Sequence, residues 1–103
     1  SDLRNTKVIT IKEQLENYKC KITVSDPCVI PEEAQKYFGL KLKSLNTIDK
    51  QDAIILAVKH KEYYDISLGE WENILKLNGV FIDIKSVFNQ EFFSKTSLRY
   101  WSL

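Results

Sequence analysis

Asp52-Ala-Ile-Ile-Leu-Ala-Val58 decides the fold. After Asp52 the run is apolar without alternation, which suits a strand covered on both faces, and parallel α/β packing supplies that cover. Outward from it, Ser67 opens a helix through Leu68, Trp71, Ile74, Leu75 and Leu77 that Asn78-Gly79 stops, and Val80-Phe-Ile-Asp-Ile84 reads as the next strand. Toward the N-terminus, Leu40-Lys-Leu42 reads as a brief edge strand. Pro31 takes the first position of a short helix over Glu32 to Phe38, with acids in its first turn and Gly39 as its stop. Cys20-Lys-Ile-Thr-Val-Ser25 alternates apolar with polar residues and halts at Asp26-Pro27, the pattern of a strand. Val8, Ile11, Leu15 and Tyr18 mark a helix over about 6–18, with Asn5 or Thr6 as cap. The tail Leu98-Arg-Tyr-Trp101 is either an edge strand or a packed arm.

Strands and helices alternate, which predicts an α/β chain: a three-layer, Rossmann-like, open and mostly parallel sheet in a single domain over 1–103. The chain opens on a helix where such units begin with a strand. It is therefore expected to lack its usual first strand and to be a fragment of a longer polypeptide, and the neighbouring strand left unprotected favours pairing with a second copy.

Composition excludes several functions. The 103 residues carry 15 Lys+Arg against 14 Asp+Glu, mixed along the chain, so no field exists to steer a polyanion and no nucleic acid is expected as partner. No apolar run reaches the roughly 20 residues that cross a bilayer, and no signal peptide is seen, so no membrane partner and a cytoplasmic location are expected. Gly39, Gly69 and Gly79 are too far apart for a GxGxxG turn or a P-loop. Cys20 and Cys28, with His60 as sole companion, give neither zinc spacing nor a CxxC pair; no metal site is expected, and both read as reduced thiols.

Ligands of open α/β sheets bind beyond the C-terminal ends of the strands, which directs attention to 26–30, 59–64 and 85–88. Lys85 follows a strand directly and can reach a phosphate or carboxylate as a point charge, although any surface lysine there looks the same. Arg4 precedes the first helix, where it either shares a phosphate with the helix N-terminus or pairs with Asp2. His60 has no Ser, Cys or Asp partner by spacing, so it reads as structural and no catalytic residue is assigned. Asp26 sits where a ribose-binding acid would, yet Asp-Pro is also an ordinary turn signal. Trp71, Trp101, Tyr37, Phe38 and Phe81 read as core.

Four motifs in order resemble the C-terminal domain of the UDP-glucose/GDP-mannose dehydrogenase family. Asp2-Leu3-Arg4-Asn5-Thr6 is similar to its D-[IL]-R-x-[ST] opening, and Asp26-Pro27 to its DP after the second strand. Asp52 to His60 resembles D-A-I-[IV]-L-A-x-x-H, and Phe81-Ile-Asp-Ile-Lys85 resembles [FV]-x-D-x-K/R. The Arg-Asn-Thr-Lys variant looks most like the bacterial branch that oxidises UDP-N-acetylhexosamines for capsule and O-antigen sugars. The resemblance implies an NAD-dependent enzyme that takes a C6 alcohol through a thiohemiacetal and thioester to a carboxylate, using two NAD. It implies that NAD is held mainly by an N-terminal domain outside this chain, that Arg4 contacts the cofactor, that Lys85 contacts the UDP-sugar, and that the full enzyme is a homodimer. The family's Phe-Lys substrate pair has no counterpart in these residues, and neither Cys20 nor Cys28 matches its catalytic cysteine. The alternative is a free-standing small α/β ligand-binding or regulatory module without catalysis.

Overall fold

The computed structural model describes residues 6–103, which divide after Thr47 into two compact units. In the first, α1 (Thr6–Asn17) ends where Lys19 turns left-handed (φ 64°), and Tyr18 and Cys20 both donate to the Leu15 carbonyl at 3.1 Å. Tyr18, expected on the apolar face of that helix, is 83% exposed, because it already lies beyond the last helical turn. The predicted strand Cys20–Ser25 and the edge strand Leu40–Leu42 reduce to one parallel bridge, Val24 to Leu42, closed by Lys43 N–H to the Val24 carbonyl at 2.9 Å. Two strands of such length need a ladder, and among the described residues no third strand extends this one.

Helix α2 (Pro31–Phe38) follows its sequence signals closely. Pro31 fills the first turn where no amide partner is needed, Glu32 and Glu33 face the positive dipole end, and Gly39 adopts φ 64°. Leu40 N–H returns to the Ala34 carbonyl at 3.2 Å, completing the cap. This unit buries Ala34 and Leu40 against Val8, Val24, Val29, Phe38 and Leu42.

The second unit is an α/β sheet of three parallel strands, in the order β1 (Gln51–Leu56), β2 (Leu75–Asp83) and β3 (Arg99–Ser102). Between β1 and β2 lie α3 (Lys61–Tyr64) and α4 (Leu68–Ile74). The β1 run is covered less than its sequence suggested. Leu56 is buried, Ile54 and Ile55 are half-buried, and Ala53 and Asp52 are exposed, the latter paired to Lys76 at 3.1 Å. The tail settles as the edge strand β3.

Helix α4 starts in a capping box, Ser67 Oγ accepting from Glu70 N–H at 3.2 Å while the Glu70 carboxylate accepts from Ser67 N–H. It stops at Ile74, three residues short of the predicted Leu77, and the chain enters β2 directly. Asn78-Gly79 is therefore no helix stop: Asn78 turns left-handed (φ 61°) inside β2, where the register slips from Gln51↔Leu75 to Ala53↔Val80. Gly79 is required there, since a Cβ would stand 2.9 Å from the Lys76 carbonyl oxygen. Leu77 is left 81% exposed.

The core of this unit is aromatic. Trp71, Phe81, Phe93 and Tyr100 are buried, with ring centroids 5.0 Å apart for Trp71 and Phe81, 4.8 Å for Phe81 and Phe93, and 5.0 Å for Phe93 and Tyr100. Tyr37 and Trp101, read from sequence as core, are each 65% exposed. Tyr37 lies on the outer face of a two-turn helix, and Trp101 takes the opposite face of β3 from buried Tyr100.

Candidate functional site

The register aligns the three strand ends, Leu56 with Asp83 and Asp83 with Ser102, so the loops beyond them share one edge of the sheet. Asp83 is fully buried in a strand that is otherwise apolar around it. Such a carboxylate is tolerable only if its oxygens are bonded. Oδ1 accepts from Val87 N–H at 2.9 Å, and Oδ2 accepts from Phe88 N–H at 2.7 Å and from the Tyr100 hydroxyl at 2.7 Å. The same hydroxyl lies 2.9 Å from the Phe88 carbonyl. Burial, then the hydrogen bond to Asp83 and its charge, push the Tyr100 phenol from 10.0 to about 12.

Asp83 thus folds the chain after β2 into a fixed turn and ties it to β3. Ile84 N–H still reaches the Leu56 carbonyl at 3.0 Å, so the ladder runs one bond past the strand. Ser86 sits at φ 53°, with its hydroxyl 3.3 Å from the Leu103 carbonyl. Lys85 projects from the middle of this turn, exposed, and no hydrogen bond or ion pair engages it among the described residues. From Ser86 onward the same turn lines a cleft of about 680 Å³, with Ser86, Phe88, Asn89 and Gln90 on one side and Tyr100, Trp101 and Ser102 of β3 on the other.

Asp26 Oδ1 accepts from Cys28 N–H at 2.8 Å, an Asx turn of the kind Asp-Pro predicts, so the ribose reading of Asp26 gains nothing from the geometry. His60 is half-buried at the start of α3, its ring centroid 6.0 Å from that of Tyr63. Cys20 and Cys28 are both exposed. Arg4 lies outside the described residues. Sequence reasoning missed Asp83 and Tyr100. The available signal was an acid enclosed in Val80-Phe-Ile-Asp-Ile84, which demands donors from elsewhere in the chain. No described helix is long and apolar enough to cross a membrane.

The sequence profile of the UDP-glucose/GDP-mannose dehydrogenase family, UDP binding domain, matches residues 1–90. The chain is 38% identical to Protein CapL of Staphylococcus aureus over 102 residues, 99% of this chain and 24% of that protein. It is 33% identical to a UDP-N-acetyl-D-glucosamine 6-dehydrogenase of Pseudomonas aeruginosa, over 95% of this chain and 22% of that one. A protein of the same name from Salmonella typhi is 32% identical over 87% of this chain and 21% of that one. The chain therefore spans under a quarter of the length of these relatives. No solved structure matches it significantly.

Proposed function

The chain belongs to the UDP-glucose/GDP-mannose dehydrogenase family, as its UDP binding domain, and from that premise we propose that it binds the nucleotide sugar for an NAD-dependent UDP-sugar 6-dehydrogenase. In this proposal the enzyme is cytoplasmic and homodimeric. It oxidises the C6 alcohol of a UDP-N-acetylhexosamine to a carboxylate for surface polysaccharide synthesis. Two relatives carry the name UDP-N-acetyl-D-glucosamine 6-dehydrogenase, which supports the substrate class. Outer strands β1 and β3 each have one partner among the described residues, which is compatible with association of two copies.

The observation that carries the reading is Lys85, an unengaged cation on a turn that a buried carboxylate holds rigid, at the edge where α/β sheets take their ligands. A diphosphate presents two anionic groups, and an ammonium without another partner is a suitable anchor for one of them. The dinucleotide is assigned mainly to residues outside this chain. Gly39 caps α2, Gly69 lies in α4 and Gly79 in β2, so none of them builds a phosphate-cradling turn, and Arg4 is assigned the chain's contact with NAD on the family resemblance. The nucleophile is likewise assigned elsewhere, since neither Cys20 nor Cys28 matches the catalytic cysteine of the family that the chain resembles.

Calorimetric titration of UDP against the wild-type chain and Lys85→Ala tests this. The variant is expected to bind weaker by about 1.5–3 kcal/mol, on the order of tenfold or more. Equal affinities in a folded variant would remove Lys85 from the site, and no binding by the wild type would overturn the domain's proposed role.

A further inference from the structure

The cleft that begins at Ser86, the residue after Lys85, has a chemistry of its own. Its lining holds no ionised side chain: Ser86 and Ser102 offer hydroxyls, Asn89 and Gln90 offer amides, and Phe88 and Trp101 offer ring surface. Asn89 Oδ1 is occupied by Phe92 N–H at 2.9 Å, which leaves its amide nitrogen and the whole Gln90 amide without partners among the described residues. Trp101 keeps 65% of its surface open at the rim of this cleft and so presents a flat aromatic face to it. Both walls are fixed before anything binds, through Tyr100 to Asp83 and Phe88 and through Ser86 to Leu103.

We propose that this cleft receives an uncharged ring of the nucleotide sugar, stacked on Trp101 and hydrogen-bonded by Asn89 and Gln90. The inference rests on the UDP-sugar reading above and divides the ligand in two: Lys85, one residue before Ser86, takes the charged part, and the neutral cleft next to it takes a ring. A phosphate has no counter-charge in the cleft, whereas a flat or chair-shaped ring with donors and acceptors at its edge and a weakly polar face fits both kinds of wall. Two rings of a UDP-N-acetylhexosamine have this chemistry, the uracil and the pyranose. Asn89 and Gln90 lie within residues 1–90, which the family profile matches, whereas Trp101 and Ser102 lie beyond them, so the stacking wall comes from outside the matched segment.

The test is calorimetry of the 103-residue chain with UDP and with UDP-N-acetylglucosamine, for wild type, Trp101→Ala and the conservative Trp101→Phe. Iodide quenching of tryptophan fluorescence runs alongside it. Trp71 is 1% exposed, so the quenchable emission belongs to Trp101. Loss of one stacking partner is expected to weaken binding about tenfold in Trp101→Ala, with partial recovery in Trp101→Phe and ligand protection of the wild-type indole from iodide. Loss for both ligands places the uracil on Trp101; loss for the sugar nucleotide alone places the pyranose there. Unchanged affinities for both in Trp101→Ala would overturn the ring site while leaving UDP binding by the domain intact. So would a variant altered only in self-association by sedimentation, which would make Trp101 a contact between copies. A wild type that binds neither ligand would remove the underlying reading and the ring site with it.

Discussion

Replacing Tyr100 by Phe removes one hydroxyl from the Asp83 network and nothing else of comparable size. The phenol donates to a buried carboxylate at 2.7 Å, and a hydrogen bond to a charged group contributes roughly 1.5–3 kcal/mol. Asp83 keeps Val87 and Phe88 N–H, so the variant is expected to fold and to lose about that amount. The pH dependence gives a second, sharper signature. In the folded chain the phenol is raised from 10.0 to about 12, so the folded state holds its proton more tightly than the unfolded one. The stability this contributes is complete below pH 10 and disappears as pH rises from about 10 to about 12. The loss is of the same order as the hydrogen bond itself, roughly 2–3 kcal/mol, in the wild type and is absent in Tyr100→Phe. Urea unfolding monitored by tryptophan fluorescence, which reports the unit holding Trp71 and Trp101, measures both chains from pH 7 to 12. The gap between them is expected to close across that window. A gap that stays constant to pH 12, or none at pH 7, would refute the network as the tie between the turn and β3.

Three further outcomes are expected. Gly79→Ala places a methyl 2.9 Å from the Lys76 carbonyl oxygen and 3.1 Å from Leu75 Cδ2, and the resulting strain is expected to cost about 1–3 kcal/mol in the same urea assay. An unaffected midpoint would show that the slipped register of β2 yields easily. In the complete enzyme of the proposed function, Arg4→Ala should raise the KM for NAD more than that for the sugar nucleotide, and unchanged NAD dependence would return Arg4 to Asp2. The 103-residue chain alone should reduce no NAD with any UDP-sugar, because it has no GxGxxG turn, and measurable turnover would contradict its proposed role as a binding domain.

What was legible in the sequence was local. Pro31, the acids behind it and Gly39 specify α2 through bonds within eight residues, and Ser67 with Glu70 specifies the start of α4 in the same way. Asn78-Gly79 was misread because a left-handed Asn before Gly serves a helix stop and a strand irregularity equally well. The choice between them is made by the pairing of Leu75 with Gln51, 24 positions away, which no local pattern records. Cys20–Ser25 failed as a strand for the converse reason: its alternation is correct, but among the described residues nothing extends its single bridge to Leu42 into a ladder. At the candidate site the same division holds. The position of Lys85 was legible because the end of an apolar strand marks the C-terminal edge of the sheet by itself. Asp83 and Tyr100 were not, because a buried carboxylate announces only that donors exist, and the phenol comes from 17 residues further on in a tail whose conformation was open. A turn read as a place to put a lysine is thus a rigid object, and its rigidity comes from the one charged residue in β2 that solvent does not reach.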